Sequence, residues 1–312
     1  MSRRYSSAWG KLVVPEFYPV VEVQEDWVLH DEFMGTKDKF WYQSPDSDKH
    51  WLFKHPRANS GEHWAEKIAA EVADLLGVMH AKVELANFEE GIGSTTKSFV
   101  RNGLELIHGN EILAWVMSNY DVDARFGQSR HTLDNIWVAL DKAFIMPEAG
   151  EIAKRSFAGY LILDALIGNT DRHHENWGIL RRRTGNGWKG FLAPSYDHAS
   201  SLGRELQDER RNLLLSENRV AAYAEGGHGG IFWSEQARRG PSPLQLVRHA
   251  ITKYPTLFQI PMERLGRVNE NLLREIIWRI PVDWMSSSAR LFAAEQMCYN
   301  FSELNRLRKA FR

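Results

Sequence analysis

A single cysteine, Cys298, stands in a chain of 312 residues, so no disulfide can form within it. That scarcity fits a reducing cytoplasm. Cys298 sits in the helix-like run Phe292-Ala293-Ala294-Glu295-Gln296-Met297-Cys298-Tyr299 and reads as a small buried apolar residue. Long hydrophobic runs are missing too. None approaches the roughly 18 residues that a membrane span needs. No apolar stretch follows Met1-Ser2-Arg3-Arg4-Tyr5 to make a signal peptide. Charge of one sign is lacking: 39 Lys and Arg face 40 Asp and Glu, for a net charge of −1. No overall field draws the chain to nucleic acid, which leaves only a local basic patch open. These absences predict a cytoplasmic protein with no membrane contact and no direct nucleic-acid binding.

What is present is ordinary core-forming material, 43% hydrophobic residues and 12 tryptophans, enough for two modest lobes around a cleft or for one large domain. The first part reads as strands around one helix. Val28-Leu29-His30, Phe40-Trp41-Tyr42, Trp51-Leu52-Phe53-Lys54, Lys82-Val83-Glu84-Leu85-Ala86 and Thr95 to Val100 are strand-like. Trp64, Ile68, Val72, Leu75 and Leu76 fall at helical spacing, with Ser60 as the expected N-cap and Gly77 as the stop. Residues 20–102 are therefore expected to form a mostly antiparallel sheet with one packed helix. Further on, helices are expected from Leu133 to Phe144, Glu151 to Ile167, Leu244 to Tyr254, Glu263 to Ile280 and Ser286 to Ala310. A hairpin, Trp177-Gly178-Ile179-Leu180 and Gly190-Phe191-Leu192-Ala193, interrupts them. Gly226-Gly227-His228-Gly229-Gly230 reads as a mobile loop, since it lacks the Lys-Ser/Thr of a phosphate-binding P-loop.

One constellation carries chemistry. Phosphoryl transfer needs metal ligands, a cation on the phosphates and a group that orients the attacking hydroxyl. Asp171-Arg172-His173-His174-Glu175-Asn176 has the Asp-x4-Asn spacing of a kinase catalytic loop, and the hairpin then leads to Tyr196-Asp197. On spacing alone, a surface loop capped by Asp171 explains the pattern equally well. Lys54 supplies the cation. The following helix offers Glu66 beside its apolar stripe and Glu62 in a first turn expected to be exposed. Gly35, between two strand candidates, would let backbone approach phosphate closely. The adjacent pair His173-His174 lacks the spacing of a zinc site, and His173 is expected to hold the loop by hydrogen bonds.

At these residues the chain resembles the HipA-like kinases, bacterial Ser/Thr protein kinases. Gly35-Thr36-Lys37-Asp38-Lys39 resembles the family's loop over the nucleotide, Lys54-His55-Pro56 its Lys-x-Pro strand end, and Glu66 to Leu76-Gly77 its Glu-bearing helix. Leu166 to Asn176 and Pro194-Ser195-Tyr196-Asp197 resemble its catalytic and metal motifs, and the likeness spans roughly residues 28–205. The resemblance implies an α+β fold, bilobal and protein-kinase-like, related to phosphatidylinositol 3- and 4-kinases. A β-rich N-lobe would cover residues 1–102 and a helical C-lobe residues 103–312. It implies ATP and Mg²⁺ as cofactors. Asp171 would be catalytic, Asn176 and Asp197 would be the metal ligands, and Gly35, Lys37, Lys54 and Glu66 would complete the nucleotide site. Adenine would sit at a hinge near Phe99 to Leu106.

Two departures qualify the likeness. Only residues 1–34 precede the loop glycine, where many members carry an extra N-terminal subdomain, so a short form is implied. The position at which some members phosphorylate themselves is Glu32 here. Toxin members pair with a DNA-binding antitoxin and phosphorylate aminoacyl-tRNA synthetases, which makes a protein substrate and an antitoxin the implied partners. A small-molecule kinase of aminoglycoside-phosphotransferase type would share the Asp-x4-Asn geometry. A non-catalytic nucleotide-binding module would have no chemical need for Asp171, Asn176, Asp197 and Lys54 together.

Overall fold

The computed structural model describes residues 16–31, 38–101, 103–185 and 187–310. Gly35 and Lys37, with the rest of the expected nucleotide loop before Asp38, lie outside them. The first strands are β1 (Val20–Val23), β2 (Val28–Asp31), β3 (Lys39–Tyr42) and β4 (Trp51–Lys54). Helix α1 (Glu62–Leu75) follows, then β5 (Val83–Phe88) and β6 (Gly91–Lys97). The six strands form one sheet in the order β1-β5-β6-β4-β3-β2. Every pairing is antiparallel except β1 with β5.

Period-2 alternation explains how this sheet serves two cores. On β5, Leu85 faces the main core while Ala86 joins a small cluster with Val23, Phe40, Tyr42 and Phe53. Phe40 and Phe53 are register partners, and their rings stack with centroids 5.1 Å apart. That packing fixes the register that sets Lys54 at the end of β4.

Helix α1 departs from expectation in two ways. Its N-cap is Gly61 rather than Ser60. A Cβ at 61 would lie 1.9 Å from the Trp64 ring, so the close approach of that indole selects glycine. From Glu62 to Ala70 the helix is also buried on all sides, including Glu62, expected exposed but only 3% accessible. The reason is packing: α1 lies on the sheet and is covered by two helices of the second part, α4 and α9 below.

The remainder comprises β7 (Glu105–His108), α2 (Gly109–Val116), α3 (Leu133–Ala143), α4 (Pro147–Ile167), β8 (Gly178–Thr184) and β9 (Gly187–Leu192). Then come α5 (Asp208–Ser216), α6 (Val220–Gly226), α7 (Pro243–Lys253), α8 (Pro255–Leu265), α9 (Glu270–Trp278) and α10 (Ser287–Ala310). Strands β7-β8-β9 make a second, antiparallel sheet. The single helix expected from Glu263 to Ile280 is instead the end of α8 and all of α9. The chain breaks at Gly266, and Asn269 caps α9 by accepting from Leu272 N at 3.1 Å. The glycine loop expected to be mobile is pinned: His131 Nδ1 donates to Gly230 O (2.8 Å), and Gly229 N to Pro241 O (2.8 Å). Among the described residues, no helix is long and apolar enough to cross a membrane.

Candidate active site

Helix α4 delivers the loop that follows it. It ends at Gly168, whose φ of 66° is left-handed and where a Cβ would come within 2.4 Å of Gln296 Nε2. In the last turn, Asp164 accepts from Arg172 Nε (2.7 Å), Arg172 Nη2 (2.7 Å) and Asn169 Nδ2 (2.8 Å). Arg172 Nη1 also donates to Asn176 O at 2.8 Å. Arginine thus ties both ends of the loop to the helix through a buried bidentate pair. Within the loop, Asp171 N donates to Asn169 Oδ1 (3.1 Å) and Asn176 Nδ2 to Asp171 O (2.6 Å), so the backbone of Asp171 is held on both sides.

His173 holds the loop as expected. Arg125 Nε lies 3.2 Å from His173 Nε2, and Glu175 N lies 3.2 Å from its Nδ1. Burial, followed by the nearby Arg125 charge, lowers the His173 pKa to about 4. A neutral imidazole has one N–H and one acceptor nitrogen, so the ring accepts from one of these two neighbours in each tautomer.

The hairpin of β8 and β9 returns the chain to Pro194-Ser195-Tyr196-Asp197 beside the loop. Asp197 has a φ of 57°, a left-handed conformation that costs a non-glycine residue about 1 kcal/mol and that aspartate tolerates better than most. Lys54 Nζ reaches Asp197 Oδ1 at 3.3 Å, joining residues 143 apart in sequence. Burial opposes the Lys54 charge, but Asp197 and then Glu66 outweigh it and raise the pKa. Glu66 Oε1 accepts from His198 N at 2.9 Å rather than bonding Lys54, while Glu66 Oε2 is buried with no hydrogen-bond partner among the described residues. Burial works against Glu66 ionising, yet the His198 bond and the Lys54 charge lower its pKa.

Lys54, Asp171, Asn176 and Asp197 therefore line a single cleft of about 620 Å³, with Leu52, Phe99, Val100 and Leu106 as apolar wall. Its size and its mix of apolar wall and converging polar groups suit a bound small molecule. Burial and then the Asp197 charge raise the Asp171 pKa, and Ser200 Oγ donates to Asp171 Oδ2 at 3.4 Å.

A buried polar chain behind the cleft was not anticipated. Arg172 Nη2 donates to Ser195 Oγ (3.0 Å), which lies 2.7 Å from His198 Nε2. On its other side the ring places Nδ1 3.6 Å from Glu66 Oε1. Asp164, Arg172, Ser195, His198 and Glu66 thus connect α4 to α1. The one sequence signal for this chain is Asp164 itself, a carboxylate inside the apolar run Leu161-Ile162-Leu163-Asp164-Ala165-Leu166-Ile167. Glu62 likewise faces inward and pairs with Arg204 Nη1 (2.8 Å) and Arg57 Nη1 (3.3 Å).

The HipA-like C-terminal domain family matches residues 31–252. The serine/threonine-protein kinase CtkA of Helicobacter pylori is 26% identical over 154 residues, 49% of this chain and 44% of CtkA, so the match spans under half of that relative. The crystal structure of the H. pylori proinflammatory kinase CtkA superposes with a TM-score of 0.75 at 17% identity, covering 94% of this chain and 99% of that one. HipA of Shewanella oneidensis, in a toxin–antitoxin complex with HipB and operator DNA, gives a TM-score of 0.56 at 14% identity, covering 91% and 66%. The last two likenesses establish a shared fold.

Proposed function

This chain belongs to the HipA-like C-terminal domain family, and on that premise we propose that it transfers the γ-phosphoryl group of ATP to a serine or threonine hydroxyl of a protein. The observation that carries this reading is the convergence of Lys54, Asp171, Asn176 and Asp197 on one cleft. In this reading residues 1–102 form the nucleotide lobe and residues 103–312 the lobe that receives the acceptor.

The donor set suits Mg²⁺. Asp197 offers a carboxylate, and Asn176, whose Nδ2 is spent on Asp171 O, offers its amide oxygen. Among the described residues no group of three or more His, Cys, Asp or Glu could hold a metal. Mg²⁺ needs none, since it is commonly held by one or two side chains with phosphates and water. Bound there, it would neutralise charge developing on the phosphates. Lys54 would bind the α- and β-phosphates, with Glu66 stabilising its charge from behind. Gly35 and Lys37 would cover the nucleotide, and the stretch from Phe99 to Leu106 would receive the adenine.

Asp171 orients the acceptor hydroxyl. Its oxygen attacks the γ-phosphorus, the bond to the β–γ bridging oxygen breaks, ADP leaves with that electron pair, and the hydroxyl proton passes to Asp171. The cytoplasm is the expected place for this reaction, and a toxin held in check by an antitoxin is the expected setting. The reading is tested by incubating the protein with labelled ATP, Mg²⁺ and a cell lysate. A labelled protein band supports it, a labelled metabolite turns it into small-molecule phosphorylation, and no label at all defeats it. Growth arrest on expression of the wild type but not of Asp171→Asn supports the toxin role.

A further inference from the structure

A second cavity, of about 540 Å³, adjoins the nucleotide cleft and shares Asp171, Ser200, Arg57 and Arg125 with it. Its lining is strongly basic. Arg57, Arg125, Arg204, Arg238 and Arg239 contribute, with Asp171 as the lone carboxylate among the described residues that line it. Three of these arginines pair with acids that do not line this cavity: Arg57 and Arg204 with Glu62, and Arg125 with Glu175 at 3.4 Å. Arg238 and Arg239 are exposed and form no ion pair among the described residues, although Arg239 Nη1 lies 3.2 Å from His228 Nε2. A chain of net charge −1 thus carries a surplus of positive charge at the mouth of its catalytic loop.

We propose that this cavity receives the phosphoryl acceptor and selects a serine or threonine set in an acidic peptide segment. The proposal rests on the kinase reading above and adds the substrate class to it. Charge complementarity favours an anionic partner and suppresses basic ones. The layout favours an extended chain over a compact anion. Arg238 and Arg239 are exposed instead of converging in a buried socket, and Phe126, which lines the same cavity, is 77% exposed, an apolar face for a neighbouring side chain. Arg125 lies over the Phe126 ring, 5.8 Å from its centroid, which couples that apolar face to the charged one.

The test uses the full chain and serine peptides that differ only in their flanks, acidic, neutral or basic. Transfer from labelled Mg·ATP is followed together with anisotropy of the same peptides carrying a fluorophore. The wild type is expected to bind and phosphorylate the acidic peptide about tenfold better than the neutral one and to discriminate further against the basic one. Arg238→Glu with Arg239→Glu is expected to erase or invert that order while Mg·ATP affinity stays unchanged. Equal treatment of the three peptides, or the same acidic preference in the double variant, overturns the proposal and leaves the kinase reading standing. Acidic-selective binding that the double variant loses, without transfer to any peptide, supports the binding surface and defeats the kinase reading instead. Transfer to a phosphorylated metabolite in preference to every peptide overturns the peptide assignment.

Discussion

Burial and the neighbouring Asp197 raise the pKa of Asp171, so its ionised form works against the fold that holds it. A carboxyl whose pKa is higher in the folded than in the unfolded chain stabilises the fold below the unfolded pKa. That contribution is lost as pH rises through the folded value. Asp171→Asn is therefore expected to melt at a higher temperature than the wild type at pH 7, with the gap closing as pH falls into the carboxyl range. Phosphoryl transfer in the same variant should fall about 10²–10⁴-fold with most Mg·ATP affinity retained. Equal melting curves at pH 7 would show that Asp171 bears no such charge penalty, and near-normal transfer would remove the catalytic role proposed for it. Glu66 separates two effects in a similar way. Glu66→Gln keeps an acceptor for His198 N but removes the charge beside Lys54, so transfer should drop and the stability that ionised Glu66 contributes above the carboxyl range should be lost, with the difference from the wild type closing as pH falls. Glu66→Ala strands that buried N–H and should cost about 1–3 kcal/mol of unfolding free energy in a denaturant titration.

At the scale of elements, the pair of Asp164 in α4 and Arg172 in the loop carries the site. Their side chains are 4% and 3% exposed. Asp164→Ala leaves Arg172 charged and buried, which should cost about 3–5 kcal/mol by chemical denaturation. A loss under 1 kcal/mol would mean that the loop is held by something else. Most of these elements were legible in the sequence because strong local signals marked them. The β-branched and aromatic runs at β3, β4 and β5 were readable, as were the left-handed stop at Gly168 and the hairpin that leads to Asp197. What was missed has short-range causes. Strand β1 has four residues and α6 seven, too few to show a period. The apolar spacing across Gly266 ran on past a break that the Asn269 cap alone announced. Lys54, Asp171, Asn176 and Asp197, which line one cleft, lie in local motifs that spacing alone picks out. The chain of Arg172, Ser195, His198 and Glu66 could not be picked out so, because its members lie on different elements and spacing encodes no contact between them. Glu62 was misplaced for the same reason: a first turn reads as exposed unless one knows that Arg204 arrives from 142 residues away.

At the scale of the molecule, α1 belongs to both parts at once. Ala65, Ile68, Ala69 and Val72 pack in one continuous core with residues of α4, α9 and α10, while the helix lies on β5 and β6. The sheet and the helical part should therefore unfold together. Ile68→Ala should lower stability by about 2–5 kcal/mol, with far-UV dichroism and tryptophan fluorescence reporting coincident transitions. Separate transitions would show two independent units. The contact between Lys54 and Asp197 spans the same divide and has a thermodynamic consequence for how ligands enter. A cation arriving at Asp197 must compete with the ammonium of Lys54, and an anion arriving at Lys54 draws that ammonium away. Each ligand thereby improves the site for the other, a reciprocal coupling of the size usual between linked sites, about 1–3 kcal/mol. Deleting the ammonium should uncouple them. In calorimetry, Lys54→Met is expected to bind Mg²⁺ alone more tightly than the wild type does, although it binds Mg·ATP less well; unchanged affinity for the bare ion would mean that the two charges do not compete.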